Sequence, residues 1–188
     1  PGAKGKGTLV VLNDEIHYAR NVMKTNTTTV QTFVSINRGP AGVVNTGKIQ
    51  WFEPMDRKVG PATGFSVDAL DKLPRVDVIY AHANMSADLI DAAIKNGAKG
   101  LVIAGVGDGN MTTPALDAVT RAAKSGIVVV RSTRLASGIT LRNNEVNDDE
   151  KGLVASGELN PAKSRVLLQL ALTKTNDPVQ IQRMFYEY

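Results

Sequence analysis

The chain has no cysteine in its 188 residues. Disulfides and thiolate metal sites within it are therefore excluded, and the redox compartment leaves no trace in its composition. Aromatic residues make up only 5%, and the basic residues are scattered. With 22 Lys+Arg against 18 Asp+Glu the net charge is a mild +4. No stacking platform alternates with positive charge, so nucleic-acid binding is not expected. No apolar run approaches the roughly 18 residues of a membrane span, so no membrane insertion is expected. The two histidines, His17 and His82, have no cysteine partner and stand far apart. Both read as surface or turn residues rather than metal ligands. A G-x-S-x-G nucleophile elbow is also missing.

What is present is enough apolar material for a core, 43% of residues, in one domain or two small ones. Thr8–Leu12 reads as a strand that is apolar on both faces, and the next forty or so residues offer it too few sheet partners. Asn13-Asp14 is a turn signal, and Val22 to Thr32 reads as extended or loop. Val43-Val44 and Ile49–Phe52 read as short strands around an Asn45-Thr46-Gly47 turn. Residues 53–74, rich in proline and without lasting periodicity, read as a linker.

From Val76 strands and helices alternate. Val76–Tyr80, Leu101–Ala104 and Ile127–Val130 are expected strands. Between them lie a helix capped by Ser86, with Leu89, Ile90, Ala93 and Ile94 inward, and one near Pro114, with Leu116, Val119 and Ala123 inward. This β-α-β-α-β run implies a parallel sheet with right-handed crossovers. Two helices close the chain, one capped by Asn160 with Val166, Leu167, Leu170 and Ala171 inward. The other, capped by Asp177 with Gln180 completing a capping box, has Ile181, Met184, Phe185 and Tyr188 on its apolar face.

The segment richest in chemistry joins the middle strand to the second helix: Gly105-Val-Gly107-Asp108-Gly109-Asn110. Glycines let backbone approach a ligand, and ligands of open parallel sheets lie at the carboxyl ends of the strands. A dinucleotide fingerprint needs a third glycine where Asn110 stands, and an acidic residue further on. The third strand runs instead into Arg131, which would suit a 2′-phosphate. On the residues alone a dinucleotide, another polar ligand and a structural turn all stay open. Lys24, among small polar residues, reads as a solvated lysine or, if buried beside a hydroxyl and a carboxylate, a proton-transfer group. The acidic run Glu145–Glu150 reads as a solvated loop, or as the source of a carboxylate for a substrate ammonium.

Taken in order, Leu9–Asp14, Val22–Thr28, Thr32-Phe33, Ala104–Asn110, Val130–Arg134, Asn144-Glu145-Val146, Ala155–Pro161 and the tail to Phe185–Tyr188 resemble the bacterial type II L-asparaginases, over essentially the whole chain. The resemblance implies an α/β fold. It reads residues 1–52 as the last part of a larger N-terminal α/β domain, 53–74 as the linker, and 75–188 as a smaller C-terminal domain with a parallel sheet flanked by helices. The family's threonine nucleophile and Thr-Asp motif have no counterpart here. A missing N-terminal segment is therefore expected as a partner, and the chain alone is expected to be inactive.

The resemblance further implies hydrolysis of L-asparagine to L-aspartate and ammonia through an acyl-threonine, without metal or organic cofactor. Lys24 corresponds to the lysine of a Thr-Lys-Asp proton relay. Asn110 and Glu145 correspond to substrate-binding residues that reach a neighbouring subunit's site, the glutamate facing the α-ammonium. Asp108 replaces the asparagine often found there, which points to a change in selectivity at this loop. Strong glutaminases of the family carry serine at the Asn110 position and a proline after Glu145. Here Asn110 and Val146-Asn147 favour asparagine, with L-glutamine a weaker substrate. Also implied are a homotetramer built as a dimer of intimate dimers and a periplasmic or secreted location. The alternatives are a nucleotide-binding module using the Gly105–Gly109 loop, or an inactive fragment.

Overall fold

A computed structural model describes residues 2–52 and 54–188; Glu53, the first residue of the expected linker, lies outside them. The chain divides into two compact units, the first ending at Phe65 and the second covering Ser66–Glu187.

In the first unit, β1 (Leu9–Leu12) and β2 (Glu15–Tyr18) form an antiparallel hairpin with Leu12 opposite Glu15. Asn13 and Asp14 both take positive φ, 49° and 62°, the backbone that a two-residue turn needs to match strand twist. A two-stranded ribbon follows, β3 (Met23–Lys24) against β4 (Phe33–Val34). The threonine-rich run between them is a closed loop. Asn26 Oδ1 accepts from the Thr28 and Thr29 amides, and Thr32 Oγ1 donates to the Asn26 carbonyl. A second hairpin joins β5 (Gly42–Asn45) and β6 (Lys48–Trp51).

The four longer strands form one antiparallel sheet, in the order β1-β2-β5-β6. β1, expected to need more sheet partners than the residues after it offer, pairs with β2 and stands at one edge of this sheet among the described residues, with Val11 exposed. The small core holds Ile16, Tyr18 and Ala41, with Leu9, Val44 and Trp51 against it. His17 is buried, not at the surface as expected. Its Nδ1 lies 3.0 Å from Ser35 Oγ and its Nε2 3.3 Å from Glu15 Oε2.

The second unit is a layered α/β structure. Its elements are β7 (Val76–Tyr80), α1 (Asp88–Lys95), β8 (Gly100–Gly105), α2 (Thr113–Lys124), β9 (Val128–Thr133), α3 (Asp148–Lys151), β10 (Val154–Ala155), α4 (Pro161–Ala171) and α5 (Pro178–Glu187). The sheet is all parallel, in the order β10-β9-β8-β7. The α/β class and the parallel sheet agree with the sequence reading; β10, too short to show a pattern, adds an edge. Every residue of β8 and β9 is buried, as parallel strands covered on both faces must be. Leu101, Ile103 and Val129 pack with α1 and α2. On the other face Leu168 of α4 sits over Gly100, where a Cβ would lie 2.7 Å from its Cδ2.

The helix faces differ in detail from expectation. Ser86 lies just outside the α1 cap residue Ala87, bonding the Asp88 amide at 3.3 Å, and Leu89 is exposed. Helix α2 turns its alanines Ala115, Ala118 and Ala122 inward beside Val119, leaving Leu116 and Ala123 only partly buried. Small side chains allow that close approach to the sheet. In α4, Val166 is exposed and Leu168 takes its inward place. Asn160 caps α4 through the Lys163 amide, and Asp177 Oδ1 accepts from the Val179 amide at the start of α5. Among the described residues no helix is long and apolar enough to cross a membrane.

Leu168 is fully buried against a strand that has no side chain at Gly100, so the site has little means of collapsing. Leu168→Ala is expected to cost about 2–5 kcal/mol. The shift in urea midpoint at unchanged slope measures it.

Candidate functional site

The glycine loop follows directly from the end of β8. Val106 and Asn110 exchange both backbone hydrogen bonds, each 2.8 Å. The loop therefore folds back on its own strand, and a Cβ on Gly105 would lie 2.4 Å from the Gly109 carbonyl carbon. Asn110 Oδ1 accepts from the Met111 amide at 2.7 Å, which turns Nδ2 outward. That Nδ2 donates to Glu145 Oε2 at 3.2 Å. Two of the three residues expected at the site, 35 positions apart in sequence, are thus brought together.

Arg131 explains how. Sequence reasoning placed it at the end of a strand, free to meet a phosphate. The structure corrects this: it lies within β9 and is completely buried, as is Asp148. Nε donates to Asp148 Oδ1 at 2.6 Å and Nη2 to Oδ2 at 2.7 Å. Nη1 donates to the carbonyls of Asp108 and Gly109, and Nη2 to that of Leu141. Asp148 Oδ2 also accepts the Asn143 amide at 2.9 Å. One guanidinium, with its fork of donors, therefore ties together the glycine loop, the segment carrying Glu145 and the start of α3.

The acidic run divides by environment. Asp148 is the buried partner of Arg131. Val146 is buried in the core shared with α1 and α2, which fixes the backbone next to exposed Glu145. Asn147 caps α3 through the Glu150 amide. Asp149 is exposed, and hydrogen bonds from Asn143 and Arg142 hold its carboxyl below the usual range. Arg142 also donates to the Leu153 carbonyl and to Gln182 Oε1 of α5. Gln182 bonds both the N–H and the carbonyl of Ala155, completing the edge of β10. A further clamp comes from Asp108: Oδ1 accepts from the Leu141 amide and Oδ2 from Asn144 Nδ2, both at 2.7 Å.

Lys24, the third expected residue, belongs to the first unit. It stands opposite Phe33 in the β3–β4 ribbon, exposed, with Nζ 5.5 Å from the centre of the Phe33 ring.

Residues 75–185 match the family model described as the Glutaminase/Asparaginase C-terminal domain, and residues 1–57 that of the asparaginase N-terminal domain. The chain belongs to the asparaginase/glutaminase family. It is 51% identical to the L-asparaginase 2 of Bacillus subtilis over 188 residues, the whole of this chain and 49% of that protein. It is 48% identical to the L-asparaginase 2 of Escherichia coli over 97% of this chain and 53% of the relative. With a protein of Haemophilus influenzae called probable L-asparaginase periplasmic it shares 46% over 99% of this chain and 53% of the relative. The chain spans about half the length of the curated relatives it matches.

Family membership does not support the nucleotide-binding alternative, and the loop chemistry agrees. The amides of Val106, Asn110 and Met111 are bonded within the loop, and Arg131 has its charge and its donors engaged. Arg131 is therefore not a free guanidinium for a 2′-phosphate. The signal sequence reasoning missed was Arg131 itself. A charge inside Val128-Val-Val-Arg-Ser-Thr133 demands a buried counter-ion, which the nearby acidic run holds.

Removing one partner of this pair leaves the other charged and buried. Asp148→Asn is expected to destabilise the fold by about 3–5 kcal/mol in equilibrium denaturation. Because the Asp149 pKa is depressed in the folded state, its contribution is present above the unfolded pKa and lost as pH falls through the folded one. Thermal melts of Asp149→Asn should accordingly show a shallower loss of stability through the acid range than the unaltered chain.

Proposed function

We propose that the complete enzyme carrying this chain hydrolyses L-asparagine to L-aspartate and ammonia, with L-glutamine as a weaker substrate. The observation that carries the reading is the pairing of Asn110 with Glu145 in a chain of this family. An exposed carboxylate held by an amide is suited to a substrate α-ammonium, since a charged partner strengthens each hydrogen bond it accepts. Asn110, with its Oδ1 committed to Met111, supplies an oriented donor that keeps the carboxylate in place.

On this reading the covalent step uses a threonine from outside this sequence, and neither metal nor organic cofactor takes part. The hydroxyl attacks the side-chain amide, its proton passes through the relay containing Lys24, and ammonia leaves. Water then cleaves the acyl-threonine. Asn110 in the loop after β8 and Val146-Asn147 after Glu145 support asparagine over glutamine. Residues 1–52, 53–74 and 75–188 act as N-terminal portion, connection and C-terminal domain. The active form is a homotetramer of intimate dimers, each site completed by Asn110 and Glu145 of a neighbouring subunit. A periplasmic or secreted location fits the same reading.

Ammonia release from L-asparagine tests the reaction. Lys24→Met in the complete enzyme is expected to lower kcat by about 10²-fold or more, the scale of a lost proton-transfer group. Unchanged release would remove Lys24 from the mechanism. Shared sites make a second prediction. Mixed Lys24→Met and Glu145→Ala subunits should recover activity, because each hybrid dimer holds one pocket with both residues intact. Verified hybrids without recovery would mean that the two residues act within one subunit.

A further inference from the structure

We infer that Asp108 is a positioning residue for the substrate's α-ammonium, acting through Glu145; the inference rests on the function proposed above. Glu145 is exposed, and its side chain is held by one bond of 3.2 Å from Asn110. Its place therefore depends on the backbone at either side. On one side Val146 is anchored in the core. On the other side stands Asn144, itself exposed, and Asp108 holds it.

Both carboxylate oxygens of Asp108 are directed at this segment. One takes the Leu141 amide and the other Asn144 Nδ2, each at 2.7 Å. Arg131 touches only the Asp108 backbone carbonyl, so the carboxylate is not the counter-ion of that guanidinium. Two bonds, three residues apart, fasten the Glu145 segment to the loop that bears Asn110 two positions on. Asp108 thereby fixes the spacing between the Asn110 and Glu145 side chains without touching substrate. In Asp108→Asn the neutral side chain keeps one oxygen for the Leu141 amide, and the exposed Asn144 amide can turn to accept from the new NH2. Alanine loses both bonds.

A misplaced ammonium anchor weakens binding of the substrate's α-carbon end and leaves the amide chemistry in place. The test compares L-asparagine with succinamate, the same amide lacking the α-ammonium, in the complete enzyme. In Asp108→Ala the KM for L-asparagine is expected to rise about tenfold, the factor corresponding to one charge-assisted hydrogen bond, with kcat changed much less. The ratio of kcat/KM between the two substrates should fall by a similar factor, as is expected of Glu145→Ala. Asp108→Asn should restore most of it. Asn144→Ala, a surface change, should move the ratio the same way and carries the test if Asp108→Ala does not fold. Equal losses on both substrates, or a ratio unchanged in Asp108→Ala while Glu145→Ala abolishes it, would overturn the inference alone. A ratio unchanged in Glu145→Ala would overturn the ammonium reading and the inference with it.

Discussion

The architecture of the second unit's loops depends on one buried ion pair. Arg131 and Asp148 are both fully buried, and a lone charge of either kind in that position would carry a large desolvation cost. The pair is tolerated because every strong group finds a partner. The guanidinium gives two bonds to the carboxylate and the rest to carbonyls of three loop residues, and the carboxylate takes a further amide. Those carbonyls belong to irregular backbone with no ladder to satisfy them. The same interaction therefore neutralises a charge and specifies where two loops sit.

A hierarchy of supports is built around Asn110 and Glu145. Deepest is the ion pair under both loops. Above it Val146 anchors one side of Glu145 in the apolar core, and Asp108 holds the other side. Arg142 adds a link to α5 through Gln182, whose amide also completes the edge strand β10. The C-terminal helix thus contributes to the loop's position as well as to the core. An exposed pair of side chains gains a defined geometry because buried groups beneath it have no alternative arrangement.

The role proposed for Glu145 gives these supports a purpose. A carboxylate that receives a substrate ammonium must be accurately placed yet remain open to solvent. Placement from below meets both needs. The glycine loop is consequently a scaffold. Its ends are tied together by the paired backbone bonds of Val106 and Asn110, and it presents the exposed Asn110 side chain to Glu145.

Much of the fold was legible in local pattern. The apolar runs at Val76–Tyr80, Leu101–Ala104 and Ile127–Val130 mark the strands found at Val76–Tyr80, Gly100–Gly105 and Val128–Thr133, and Asn160 and Asp177 mark helix starts by capping chemistry that acts over two or three residues. Asn13-Asp14 likewise carries its turn in two residues. Asn110 and Glu145 were identified by resemblance, whereas their contact was not legible, because 35 residues and two loops separate them. Pattern failed where side-chain size decided. Alanines displaced Leu116 on the inner face of α2, since closeness to the sheet depends on the packed layer. It failed again at Arg131, read as a residue at the strand end suited to a 2′-phosphate, because a sequence shows a charge without its partner. Local periodicity and capping follow from neighbouring residues and need no fold to be read. Burial of a charge, the pairing of two hairpins into one sheet and the meeting of distant loops are properties of the packed chain, and only the tertiary structure decided them.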